Sequence, residues 1–166
     1  GGSIAQPYGS FKFPQTLGGG GGSDSSPAGS GGGRVQILAG SIELEGQILA
    51  DGIGGSRYAG GGAGGSVFLT TGLISGQGAV RANGGSGGPE SGSGGGGRIA
   101  LYVTNAAALT FTNLQAMGVD GSSLREGTPG TVYVEQAGRL SELIVERAVT
   151  NNLAEATSLV SLAGGS

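Results

Sequence analysis

Gly64-Gly65-Ser66-Val67-Phe68-Leu69 and Gly96-Gly97-Arg98-Ile99-Ala100-Leu101 decide the reading of this chain, because the second stretch restates the pattern of the first. A glycine-rich run followed by a β-branched residue returns at Ile4, Val35, Val67, Ile99 and Val132, a nearly constant period of about 32 residues. A fixed period of this size predicts one structural unit copied along an axis. Subsidiary positions keep the register: Ile42 precedes Ile74, and Ile48 precedes Val80, by the interval that separates Val35 from Val67.

Within each period, short apolar clusters are bounded by glycine. One unit reads Val35-Gln36-Ile37-Leu38, Gly40, Ile42-Glu43-Leu44-Glu45, Gly46, then Ile48-Leu49-Ala50; the next reads Val67-Phe68-Leu69, Gly72, Leu73-Ile74, Gly76, then Val80-Arg81-Ala82. Such clusters predict strands, with turns at Gly40, Gly46 and Gly72. The expected fold is all-β: a parallel β-solenoid of about five coils, three short strands per coil, stabilised by contacts between neighbouring coils. One domain would span residues 1–166, with coils starting near Ile4, Val35, Val67, Ile99 and Val132, and residues 140–166 as a divergent last coil or a cap. Phe11-Lys12-Phe13 belongs to the first unit and Leu143-Ile144-Val145 to the fifth, while Leu140 to Leu153 reads as strand first and helix second.

Long glycine-rich loops fall at one corner, over residues 18–33, 52–66, 84–97 and 118–130. Two readings of them stand side by side. They are surface loops, or they stack as extended polyproline-II-like segments whose backbone groups bond between neighbours.

Composition narrows the function. The chain has 41 glycines in 166 residues, only 5 prolines and no glycine at every third position, which excludes collagen. With 11% charged residues and ordered Val, Ile and Leu clusters, it does not read as disordered. There is no cysteine and no histidine, so disulfides, thiolate metal sites and the commonest general base are missing. A net charge of −3 argues against nucleic acid, and no apolar run reaches the ~18 to 20 residues of a membrane span. The opening Gly1-Gly2-Ser3, without an initiator methionine, predicts a fragment or a matured segment.

No catalytic, cofactor-binding or metal residue is predicted. Gly60 to Gly65 resembles a phosphate loop only in glycine content, since the chain lacks the Lys-Ser or Lys-Thr pair. Asp24, Asp51 and Asp120 do not recur as calcium repeats require, and Asp51 or Asp120 offers at most an incidental calcium site. Glu43 and Glu45 would share the outward face of one strand, but their counterparts Ser75 and Gln77 supply no acids for a lyase cleft. Arg34 and Arg98, with Ser66 and Thr131 at the same phase, suggest a structural role. Tyr58, Tyr102, Tyr133, Phe68 and Phe111 read as core or loop anchors before a sugar-stacking surface. Thr70, Thr71, Thr110 and Thr112 are too sparse for an ice-binding ladder.

The strings from Gly94 through Arg98 to Tyr102, Gly64 to Leu69 and Gly130 to Val134 are similar to a glycine-rich repeat region of very large secreted or surface-anchored microbial proteins. The resemblance runs from Gly1 to about Val145, and the remainder of the chain departs from it. It implies a β-helical stalk, adhesin or matrix component with no catalytic residues to carry over. The expectation is therefore an extracellular or cell-surface structural protein, not an enzyme, whose main partner is itself. The chain opens Gly1-Gly2-Ser3-Ile4 and closes Ala163-Gly164-Gly165-Ser166, at the phase where another coil would begin, which favours head-to-tail stacking into a fibre. A polysaccharide-binding adhesin module is the alternative.

Overall fold

The computed structural model describes residues 9–23, 25–106, 113–120, 125–145 and 157–159. Among the described residues nine strands follow in order: β1 (Arg34–Glu43), β2 (Gln47–Leu49), β3 (Ser66–Ser75), β4 (Ala79–Arg81), β5 (Arg98–Ala106), β6 (Leu114–Gln115), β7 (Thr131–Gln136), β8 (Glu142–Val145) and β9 (Thr157–Leu159). They form a six-stranded sheet, β1-β3-β5-β7-β8-β9, and a three-stranded sheet, β2-β4-β6. The residues spaced by the period are register partners: Val35 pairs with Val67, Val67 with Ile99 and Ile99 with Val132, all parallel.

The expected parallel β-solenoid of five three-stranded coils is not the fold. Each full repeat contributes two strands, because Gly40 and Gly72 lie inside continuous ten-residue strands. Neither has a positive φ. The chain bends there without turning: the pairing of β1 with β3 passes over Gly40 and Gly72, and the inward residues change parity from Val67 and Leu69 to Ile74. The larger sheet is also mixed. After four parallel strands the chain reverses near Gly138, whose φ is +76°, and Val132 pairs with Ile144 in an antiparallel ladder that β9 extends. Leu143-Ile144-Val145 is thus a strand, but one that folds back on β7 and starts no new coil. Phe11-Lys12-Phe13 is no strand, and Ile4 lies outside the described residues.

The core lies inside the stack. Val67, Leu69, Ile74, Ile99, Leu101, Val132 and Val134 point in from the larger sheet, and Val80 and Leu114 from the smaller one. Ala50, Ala82 and Ala116 close it where the chain leaves the smaller sheet.

The glycine tracts are built, and their hydrogen bonds step by three. From one arm to the other of a single tract, Gly65 N donates to Ala50 O, Gly62 N to Ile53 O and Ala59 N to Ser56 O, at 2.7, 2.9 and 2.8 Å. One repeat later Gly97 donates to Ala82, Gly94 to Gly85 and Ser91 to Gly88. The N–H groups between these point elsewhere: Gly61 and Gly64 donate to Gly92 and Gly95 of the next repeat, and Gly60 and Ala63 donate to Gly22 and Gly19. Successive amides therefore face three different neighbours. This matches an extended helix of about three residues per turn with no internal hydrogen bonds, so every backbone group is available to the segments around it. Of the two readings of the tracts, stacked extended segments describe the structure and surface loops do not.

Glycine is needed for this packing. A Cβ on Gly62 would overlap the carbonyl of Ser30, one on Gly64 that of Ala82 and one on Gly94 that of Gly62. Side chains appear where a segment faces outward, as at Ile53, Ser56 and Ser86, which are all exposed.

Candidate functional site: the open end of the stack

Both sheets begin on an edge. β1 ends the larger sheet and β2 the smaller, and both belong to the repeat that starts at Val35, so among the described residues the same end of the stack is open in each. The apolar residues there are only partly covered. Val35, Ile37, Ile42 and Ile48 are half-buried, whereas their register partners Val67, Leu69, Ile74 and Val80 are all at 0% exposure. Beside them Leu38 is 81% exposed. An uncovered strand edge above an apolar floor is a template for another strand.

The outer face of the larger sheet is covered by the N-terminal segment. Phe13 stacks on Tyr102 with ring centroids 5.9 Å apart and 14° between planes, and it leans on Phe68 at 6.2 Å. Phe11 meets Tyr133 edge-on at 5.6 Å, and Lys12 Nζ lies 5.3 Å from the centre of the Tyr133 ring. The segment is held by its backbone as well: Tyr102 OH donates to Lys12 O at 3.1 Å, and Ser66 Oγ donates to Thr16 O at 2.6 Å. These aromatic pairs and the cation over the ring anchor a strap across β3, β5 and β7. Phe68, Tyr102 and Tyr133 are gathered in it, Tyr58 stands apart and exposed, and Phe111 lies outside the described residues.

Burial first, then Tyr133 and Glu135, push the Tyr102 phenol from 10.0 up to about 12. The folded chain therefore holds this proton at a pH where the unfolded chain has released it. The stability it supports is present below pH 10 and declines between pH 10 and about 12. Thermal unfolding followed across that window should show the decline in the parent chain and a smaller one in Tyr102→Phe. An equal decline in both would place its cause elsewhere.

Asp51 is engaged by the protein itself. Its carboxylate accepts from Arg81 Nη2 at 2.6 Å, from Arg81 Nε at 3.1 Å and from Asn83 N at 2.7 Å. One repeat on, Asn83 Oδ1 accepts from Met117 N at 2.8 Å. An acid or amide at this phase ties each repeat to the next, a role the Asp51-Gly52 and Asn83-Gly84 pairs could have signalled. Asp24 lies outside the described residues and Asp120 has a partner. Among the described residues no three His, Cys, Asp or Glu side chains gather as a metal site.

The other sequence candidates separate. Glu43 ends β1, Glu45 follows it in the connection to β2, and both are exposed. Arg34, Ser66, Arg98 and Thr131 are register partners at the strand starts, where Arg34 bonds Gln36 and Ser66 holds the strap. Gly60 to Gly65 is one segment of the glycine bundle, with no helix after it to receive a phosphate. Thr70 and Thr71 occupy alternate faces of β3, and Thr110 and Thr112 lie outside the described residues. Among the described residues no helix is long and apolar enough to cross a membrane.

No protein-family model, curated protein or solved structure matches this chain.

Proposed function

We propose that this chain is an extracellular structural protein, a subunit or segment of a surface fibre that lengthens by adding repeats at the open β1/β2 end. One observation carries the reading: Val35, Ile37, Ile42 and Ile48 are half-buried where each register partner in the next repeat is fully buried. A repeat laid on β1 and β2 would pair both edges and cover these side chains. Each apolar side chain fully removed from water contributes roughly 1.5–3 kcal/mol, so covering four halves favours association by a few kcal/mol. The far edge of the larger sheet, β9, is a different surface from β1. Contacts between unlike ends generate a filament when the rotation relating successive copies does not close a ring.

The composition fits the same role. A chain without histidine or cysteine has little to offer acid-base or thiol chemistry, while 41 glycines serve a bundle held by backbone. The similarity to glycine-rich regions of secreted microbial proteins supports a place outside the cell. A polysaccharide-binding adhesin module has less behind it, because Phe13 stacks on Tyr102 and leans on Phe68, so these rings offer no open ladder to a sugar.

Negative-stain electron microscopy of the full chain at neutral pH tests the proposal. Unbranched fibres are expected, and they should be lost in Leu38→Lys and in Ile37→Lys, since a lysine on an edge strand blocks pairing. Leu38 is exposed, so its variant leaves the protomer folded. Discrete particles from the parent chain, or fibres from both variants, would overturn the proposal.

A further inference from the structure

The glycine segments meet by one rule, and carrying that rule a repeat onward shows which faces are covered. Segment 17–22 lies as a ridge over segment 59–65, antiparallel to it: Ala63 N donates to Gly19 O and Gly60 N to Gly22 O, each at 2.8 Å. The counterparts of Gly60 and Ala63 in the next repeat are Gly92 and Gly95. Their carbonyls accept from Gly61 and Gly64, but their N–H groups donate to no described residue. The place that the ridge fills over 59–65 is, at the 90–93 end of the next segment, a groove of about 450 Å³ lined by Gly20, Gly22, Gly60, Glu90, Gly92 and Arg125.

At Gly20, Gly22 and Gly92 of this groove glycine is not required by packing within the protomer, whereas at Gly21 and Gly61 it is. A Cβ on Gly22 would meet nothing within 4 Å, one on Gly20 would stay 3.6 Å from Gly29 O, and one on Gly92 would stay 3.9 Å from Arg125 O. In segment 17–22, Gly20 N–H and C=O also bond no described backbone group. Among the described residues, a ridge whose Gly20 backbone is unpaired thus stands beside a groove with unpaired donors.

We propose that the groove receives the 17–22 ridge of a second copy of this chain, and that the contact is reciprocal. A backbone is the fitting occupant because it supplies carbonyls to Gly92 and Gly95 and brings no Cβ into a lattice that excludes one. The ridge is glycine from Gly18 to Gly22. A twofold axis parallel to the segments carries each ridge into the other copy's groove. It keeps the ridge antiparallel to 91–97, the sense it already has on 59–65. Such an interface uses the same patch on both copies and closes as a pair. It joins copies side by side, away from the β1/β2 edge, and does not depend on axial growth.

The test uses the full chain carrying Leu38→Lys, which removes axial association. Sedimentation velocity should show pairing that rises with concentration, and amide exchange should show Gly92 and Gly95 becoming protected over the same range while Gly62 stays constant. Adding Gly20→Val or Gly92→Val should abolish pairing with the unfolding midpoint close to the parent's, since a Cβ at either position makes only ordinary contact with its own protomer, at 3.6 and 3.9 Å. Single copies at every concentration, pairing that survives both valine variants, or protection of Gly92 and Gly95 that ignores concentration would overturn the proposal.

Discussion

Replacing Gly62 with alanine should lower the stability of the chain by on the order of 3 kcal/mol, while the same change at Gly33 should leave it unchanged or raise it slightly. Gly62 sits in the middle of the bundle. Its N–H donates to Ile53 O at 2.9 Å and its carbonyl accepts from Gly85 N at 2.8 Å, so the segment is held from two sides. A methyl group would overlap the carbonyl of Ser30 and approach Gly31 N to 2.8 Å, and these are backbone atoms with no rotamer to yield. Relief requires separating segments and leaving hydrogen bonds unmade in the interior, at ~1–3 kcal/mol for each buried group. Gly33 is exposed, and a Cβ there meets nothing within 4 Å. Alanine at that position only restricts the unfolded chain. Guanidinium unfolding of the two variants beside the parent separates them, and equal midpoints would show that the bundle does not hold the fold.

Leu69→Ala is the second large effect, an expected loss of about 2–5 kcal/mol. Leu69 is fully buried, between Ile37 of β1 and Leu101 of β5 in the ladder. Its removal leaves a cavity bounded by strands that cannot close in without breaking register. Ile37→Ala deletes a comparable side chain from a half-buried place at the open end, so the transfer loss is smaller and little cavity forms. Its cost in the isolated protomer should be clearly less than that of Leu69→Ala. Denaturant midpoints of both variants under conditions that keep single copies measure the difference, and equal losses would mean that the β1 end is already covered.

The sequence exposed the parts of the fold that side chains mark. Val35, Val67, Ile99 and Val132 recur because each fills the same inward place, and that spacing gives the register directly. Gly40 and Gly72 misled, because a glycine between apolar clusters resembles a turn, whereas here each continues its strand with a bend. Whether a glycine takes positive φ, as Gly76 and Gly138 do, is not written in its neighbours. The reversal after β7 was hidden for a related reason: Leu143-Ile144-Val145 has the same apolar pattern whichever way it runs, and the turn at Gly138 sets the direction. The tracts were least legible. Their three-residue step is carried by backbone hydrogen bonds, and with glycine at nearly every phase no side chain reports it. The strap could be suspected from Phe11 and Phe13 alternating beside Lys12, yet alternation alone also describes a strand.

The glycine tracts form an ordered, hydrogen-bonded bundle continuous with the sheets. Amide hydrogen exchange of the full chain, read residue by residue by nuclear magnetic resonance, tests it most directly. Gly61, Gly62, Gly64 and Gly65 should exchange as slowly as Leu69 and Leu101, because their N–H groups are buried and bonded to neighbouring segments. Exchange of those four at the rate of an open chain, while Leu69 and Leu101 stay protected, would contradict it.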